Sequence, residues 1–376
     1  MLDKLLQKRE YPLVDTFGLD PAVFDTSITV TGFEIPDPAM LTDPDEQAHA
    51  AYLWGAVPVA DPLYEFRHEL IADIYYWWMY GTGEVLQLWG PTGAGKTSVM
   101  NEWCARLGVP LFALKGHRDF QSHEAFGHFI LTENGQTEWA PGPVTLAAQY
   151  GCPVIINEYD RIQASRAIVF NDVFESRAFP VPGKHGEVVS PREGFRTIIT
   201  TNTNLVEDPT GNYATATVHD VSLLERLMSV RVDYPSADTE RRILKGVLQD
   251  IGDDLLAYWF DQEALAVNTP SGMKEGSAIS RDEFIDAAIN VANAIRKQSK
   301  DGGSTDDAAL ERTMSTRILR RWVFHAATQS SLAEKHGRSA LHHSLSRYLS
   351  GTATESTRIA LHKAIETIFG VGETVR

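Results

Sequence analysis

From about residue 63 the apolar positions fall into two patterns that take turns along the chain. "EFRHELIADIYYWWMYG" (65–81) has helical spacing and stops at Gly81. "EVLQLWG" (84–90) is a short apolar run of strand length. "TSVMNEWCARLG" (97–108) returns to helical spacing, with Val99, Trp103 and Leu107 four residues apart and Gly108 just past the end. "VPLFALKG" (109–116), "CPVIIN" (152–157), "FRTIITTN" (195–202) and "LMSVRVDY" (227–234) supply four more strands. Short apolar strands alternating with helices predict an α/β fold around a parallel sheet.

After "YPSADTE" the strands stop. "RRILKGVLQD", "SRDEFIDAAINVANAIRKQ", "STRILRRWVFHAATQ" and "STRIALHKAIETIFG" all read as amphipathic helices. The chain therefore divides into an α/β domain over 63–236 and a helical lid with C-terminal helices over 237–376. Residues 1–62, rich in Pro and Asp and weakly periodic, read as an N-terminal extension with little core of its own. "SKDGGSTDD" (299–307) is the clearest flexible loop.

Composition narrows the class without naming a function. Hydrophobic residues make up 43% and charged residues 22%, the balance of a soluble globular chain. Cys104 and Cys152 both sit in apolar segments; two cysteines build no disulfide framework and suit a reducing, cytoplasmic setting. No stretch has membrane-spanning length, and the N-terminus lacks an apolar signal core. A formal charge of −16 argues against non-specific coating of nucleic acid.

The chemistry begins at "GPTGAGKTS": Gly90, Pro91, Thr92, Gly93, Ala94, Gly95, Lys96, Thr97 and Ser98. This fits G-x-x-x-x-G-K-[ST], with a strand before it and a helix after it. Glycines let successive backbone N–H groups turn inward around phosphate oxygens, and the next helix presents its positive end. Lys96 is placed for the β and γ phosphates of ATP, and Thr97 for Mg²⁺.

Downstream, "VIINEYD" (154–160) ends an apolar strand on Asn157 and Glu158, "IITTNTN" (198–204) ends another on Asn202, "LLERL" contains Arg226, and "MSTRILRRW" contains Arg317. This series resembles the AAA+ ATPases: an α/β P-loop core with a central parallel sheet and a C-terminal helical lid. Within them, "INEYDRIQASRAIVFNDVFES", "FRTIITTNTN", "MSTR", "DTFGLD" and "DPLYEF" resemble the CobS family, the ATPase subunits of aerobic cobaltochelatase in the wider MoxR group. The likeness covers roughly 12–325 and is strongest over 85–235.

The resemblance implies roles. Glu158 polarises the attacking water, and Asn202 is the sensor that places it. Arg226 is the finger reaching a neighbour's γ-phosphate, and Arg317 is the lid arginine. It also implies a homo-oligomeric ring, a hexamer, and a partner with a von Willebrand A domain. Arg231 rivals Arg226 but lies inside a strand, and Arg320 and Arg321 flank Arg317. A small-molecule P-loop kinase explains neither "MSTR" nor the arginine after the sensor strand.

Asn157 stands where such strands carry a metal-side Asp. Its carbonyl accepts the same hydrogen bond but brings no charge, so the expectation is an ATPase that binds Mg²⁺ less tightly. The alternative is an ATP-binding regulatory ring with little or no turnover.

Four further features accompany this series. "FILTENGQTEW" (129–139) and "FPVPGKHGEVV" (179–189) read as hairpins, either lining a pore or lying as surface loops. "YYWWMY" (75–80) reads as core packing rather than a ligand platform. His117, His123 and His128 lack zinc-site spacing, and Arg161 and Arg166 face either a neighbour or solvent.

Overall fold

The computed structural model describes residues 2–374 except 82, 207–216, 218–220, 301–309, 311 and 331–336. It divides into two compact units. One comprises 1–91 and 95–233, the other 92–94 and 234–376.

The first unit is built on five parallel strands: β3 (Val85–Trp89), β4 (Phe112–Lys115), β7 (Pro153–Asn157), β10 (Arg196–Thr201) and β11 (Leu227–Arg231). Their order across the sheet is β11-β3-β10-β7-β4. β3 sits inside the sheet and its Val85, Leu86 and Leu88 are fully buried, which is why it reads as a continuous apolar run. The exception is Gln87, also buried. Its amide donates to Thr201 Oγ1 at 3.1 Å and its Oε1 accepts from Ser229 Oγ at 2.9 Å, so β10, β3 and β11 are cross-tied by side chains as well as backbone. Helices α2 (His68–Tyr80), α3 (Lys96–Arg106) and α4 (Pro143–Tyr150) belong to the same unit. Trp77 and Trp78 of α2 are buried, while Tyr76 and Tyr80 of the same aromatic run are exposed.

The first 62 residues carry more regular structure than their composition suggests. β1 (Gln7–Pro12) pairs antiparallel with β2 (Thr29–Glu34), and α1 (Pro44–Ala56) starts at an Asp43 N-cap. Leu5, Ile35, Ala50 and Leu53 form a small buried cluster. Phe17 stacks on Trp103 of α3 at 4.5 Å, and Phe33 N–H donates to Leu107 O at 2.8 Å, so this segment lies against the α/β layer.

Two hairpins project from the unit. β5 (Gly127–Leu131) and β6 (Thr137–Pro141) form the first, closed by Thr132 N–H donating to Gln136 O; Phe129, Ile130 and Leu131 are exposed on it. β8 (Phe179–Pro180) and β9 (Val188–Val189) form the second, much shorter one.

The second unit packs α5 (Ala237–Leu248), α6 (Asp253–Gln262), α7 (Arg281–Lys300), α8 (Thr316–Thr328), α9 (Ala340–Tyr348) and α10 (Glu355–Phe369) with a hairpin, β12 (Ala266–Thr269) and β13 (Gly272–Glu275). Trp259, Phe284, Trp322 and Phe369 centre its core. A buried ion pair crosses it: Arg296 of α7 makes two hydrogen bonds, of 2.7 and 2.8 Å, to the carboxylate of Glu240 on α5. Thr316, the first residue of α8, donates to the same carboxylate, and Arg296 Nε donates to Met314 O, so the start of α8 is fixed by this pair. Of the expected loop 299–307, residues 299 and 300 close α7 and the rest lies outside the described residues.

Candidate nucleotide site

The parallel strands present their carboxyl ends on one edge. Register places Arg231 opposite Trp89, Thr201 opposite Trp89 on the other side, and Lys115 opposite Asn157. Loops leaving such an edge are where α/β sheets bind ligands.

After β3 the chain turns through three glycines with φ of 145° (Gly90), 77° (Gly93) and 97° (Gly95), conformations L side chains rarely adopt. At Gly90 the need is also steric, because a Cβ there would lie 2.2 Å from Val232 O. Gly95 is the N-cap of α3, so the helix begins at the loop and its free N–H groups face it.

Lys96 is buried and folded back over the loop. Its Nζ donates to Gly90 O (2.7 Å), Pro91 O (3.0 Å) and Asn202 Oδ1 (3.0 Å). The ammonium thus joins the phosphate loop to the end of β10. Thr97 Oγ1 donates to Asn157 Oδ1 at 2.6 Å. Donating that proton leaves the hydroxyl's lone pairs for a cation, and an amide oxygen suffices as acceptor. Thr97, with Asn157 behind it, therefore fits Mg²⁺, a hard ion that takes oxygen ligands and keeps several waters.

Glu158 has a left-handed backbone (φ 56°, ψ 41°), a strained conformation for a residue with a side chain. Its N–H donates to Thr200 Oγ1 at 3.2 Å, which ties β7 to β10 beyond the ladder. Its carboxylate lies 3.7 Å from Lys115 Nζ and 2.9 Å from Arg161 Nη1. The Arg161 contact lacks hydrogen-bond alignment, so Oε2 has no donor among the described residues.

Two residues of this edge carry little sequence signal. Asp160 is fully buried, and its Oδ2 accepts from Asn202 N–H (2.7 Å) and Thr203 N–H (3.4 Å). It thereby fixes the backbone from which the Asn202 side chain reaches Lys96. Burial pushes its carboxyl up from the usual range, against those two N–H donors and the charge of Lys96. Arg67, just ahead of α2, is buried and donates to Asp233 O at 2.6 Å. A side chain at Gly95 would come 3.7 Å from its guanidinium, so a second cation lies beside the phosphate loop.

The candidate arginines separate. Arg226 O accepts from Val85 N–H, so Arg226 sits at the amino end of β3, with the strand's length, roughly 15 Å, between it and its own phosphate loop. Its guanidinium is held by Glu175 Oε1 (2.7 and 2.6 Å) and Ser222 O. Arg231 is at the loop end of the sheet, over the Trp89 ring and 3.1 Å from Asp233. Arg317 is exposed in the first turn of α8. Of the three histidines near this region, His117 pairs with Glu124 at 2.8 Å and His123 meets His128 edge to face.

Residues 85–216 match the family model of the AAA domain, dynein-related subfamily. The chain is 30% identical to the gas vesicle ATPase GvpN2 of Halobacterium salinarum, over 43% of this chain and 50% of that protein. It is 27% identical to Protein CbbQ of Hydrogenophilus thermoluteolus, over 42% of this chain and 57% of that protein. Against the denitrification regulatory protein NirQ of Pseudomonas aeruginosa the figures are 26%, 50% and 68%. The chain spans about half to two-thirds of the length of these relatives. Among the described residues no helix is long and apolar enough to cross a membrane.

Proposed function

We propose that this chain is a ring-forming AAA+ ATPase of the MoxR type, close in design to CobS, that binds ATP with Mg²⁺ and uses its hydrolysis to remodel a partner protein or assist metal insertion. The observation that supports this best is Lys96, whose ammonium is drawn into one hydrogen-bonded set with the loop carbonyls and Asn202. In the nucleotide-bound chain those carbonyls give up the ammonium to the β and γ phosphates. Thr97 and Asn157 hold Mg²⁺, which neutralises phosphate charge when bound. Glu158 takes up the proton side of the attacking water, and Asn202 orients that water. Arg226 cannot serve its own loop from the far end of β3, so it completes a neighbour's site, and Arg317 contacts the phosphates from the lid. A homo-hexamer in the cytoplasm with a von Willebrand A domain partner fits this design, and the likeness to gas vesicle ATPases, CbbQ and NirQ supports its ATPase part.

A second reading, an ATP-binding ring that regulates assembly with little turnover, is favoured by the uncharged Asn157 beside a Glu158 carboxylate already engaged by Arg161 and Lys115. Steady-state phosphate release, measured beside ATP-dependent assembly, separates the two. Release that saturates with ATP supports the first; assembly with ATP but no release supports the second.

A further inference from the structure

The C-terminal unit holds a cluster that neither nucleotide chemistry nor the family likeness uses. His342 lies on α9 and His362 on α10, and both are buried. Their Nδ1 atoms are 2.7 Å apart. The rings are nearly coplanar, 10° between planes and 5.0 Å between centroids, so the two nitrogens point straight at each other. Glu373, just past α10 and about half exposed, brings its Oε1 to 3.5 Å from His362 Nδ1. Among the described residues these three are the His, Cys, Asp and Glu side chains whose ligand atoms gather within 4.8 Å.

The outer nitrogens are already taken. His342 Nε2 lies 2.8 Å from Val371 O, which can only accept, so this nitrogen carries the hydrogen and Nδ1 is bare. His362 Nε2 lies 2.9 Å from Ser350 Oγ, which can donate or accept. Oxygen partners on the outer nitrogens, which fix the ring orientation and leave the inner nitrogens facing inward, are the support that metal-ligating histidines have. Neutral imidazole is the ligating form.

We propose that His342, His362 and Glu373 form a site for a divalent transition ion of the zinc class, which ties the last segment of the chain to α9 and α10. Tetrahedral zinc with bonds of about 2.0–2.1 Å sets its ligand atoms roughly 3.3–3.5 Å apart. The His362–Glu373 spacing of 3.5 Å already fits; the two imidazoles, head-on without the ion, must part by about 0.6 Å and each swing by roughly 35° so that both lone pairs meet an ion off the Nδ1–Nδ1 line. Without the ion, the His362 Nδ1 hydrogen bridges the pair and Ser350 donates to Nε2. With it, that hydrogen moves to Nε2 and Ser350 accepts, and no net proton is released. Arg358, 3.1 Å from the same Glu373 oxygen, opposes the cation, but two hydrogen bonds to Glu355 hold it when Glu373 turns inward.

The test uses the full chain, stripped with a chelator and titrated first with Co²⁺ and then with Zn²⁺. The expected result is one ion per chain, visible cobalt bands of a four-coordinate site that Zn²⁺ quenches, and a ¹⁵N signature of His362 moving its hydrogen from Nδ1 to Nε2. Glu373→Gln, at the surface and safe for folding, weakens binding roughly tenfold or more, and His362→Gln abolishes the bands. The site is overturned if no bands appear at millimolar Co²⁺. It is equally overturned if the bands survive both substitutions, or if His362 keeps its hydrogen on Nδ1 in saturating Zn²⁺.

Discussion

At the scale of single residues, Asn157 is the position where an amide stands at the end of β7 beside Thr97. Its Oδ1 does the hydrogen-bonding work of a carboxylate toward Thr97 but would add no charge beside the proposed ion. Asn157→Asp should therefore lower the Mg²⁺ concentration for half-maximal phosphate release by about 1 kcal/mol, or several-fold, the difference between a charge-assisted and a neutral contact. Glu158→Gln keeps the shape but loses the carboxylate proposed to activate water, and turnover should fall roughly a hundredfold or more with binding retained. A Mg²⁺ titration of the parent and both variants measures each. If Asn157→Asp changes nothing, the charge argument is wrong. If it creates activity in an inactive parent, the regulatory reading wins. Lys96→Ala removes the ammonium that spans the loop and Asn202, and calorimetry should show a marked loss of ATP affinity; unchanged affinity removes the phosphate-loop assignment. The loop and both strand ends were legible because glycine, lysine and apolar runs leave strong local signals. Asp160 and Arg67 were not. Each is one charged residue without a motif role of its own, Asp160 closing the quoted "VIINEYD", and its importance lies in a backbone or loop that only folding brings to it.

At the scale of elements, the alternation of runs named the five strands of the parallel sheet, but spacing alone could not set their order. The order β11-β3-β10-β7-β4 puts β3, β10 and β7, the three most continuously buried runs, inside. β1, β2 and α1 escaped the periodicity because the segment is Pro-rich and covers another layer rather than forming one. The helical unit offers two tests of what holds its elements. Glu240→Gln breaks the buried pair that fixes the start of α8, leaves Arg296 without its counter-charge, and should cost about 3–5 kcal/mol in chemical denaturation. Replacing both by Met should recover most of that loss, and a double variant as unstable as the single would sink the account. At the start of α7, Ser280 N–H and hydroxyl donate to Glu283, and Lys274 lies 2.7 Å from it. These contacts hold the Glu283 carboxyl down at about 2. A depressed acid stabilises the folded state above its unfolded value, and that contribution fades as pH falls toward 2. Parent and Glu283→Gln unfolding curves should thus differ at neutral pH and converge on acidification through that window. A constant gap shows that the cap acts by shape alone.

At the scale of the whole molecule, the position of Arg226 makes a claim about assembly. It lies at the amino end of β3 and is clamped to Glu175, while the phosphate loop leaves the carboxyl end of the same strand. No rotamer of one side chain closes a gap of that length. The arginine is either a structural partner of Glu175 or a group used by another copy. A shared site predicts complementation. Arg226→Ala should abolish turnover and leave ATP binding by the isolated subunit intact, and Glu158→Gln should do the same for a different reason. In a mixed ring, an Arg226→Ala subunit keeps its loop and Glu158, and receives a sound arginine wherever its neighbour is the Glu158→Gln variant. Activity should therefore rise from near zero to a maximum at intermediate mixing ratios and fall again at both ends. A purely structural Arg226–Glu175 pair predicts otherwise: Arg226→Ala lowers thermal stability, Glu175→Gln mimics it, and no ratio restores phosphate release. Mass measurement with ATP closes the argument, because rescue needs assemblies of more than one chain. Monomers alone under those conditions, together with flat mixing curves, would leave Arg226 a residue of the fold and the ring without support.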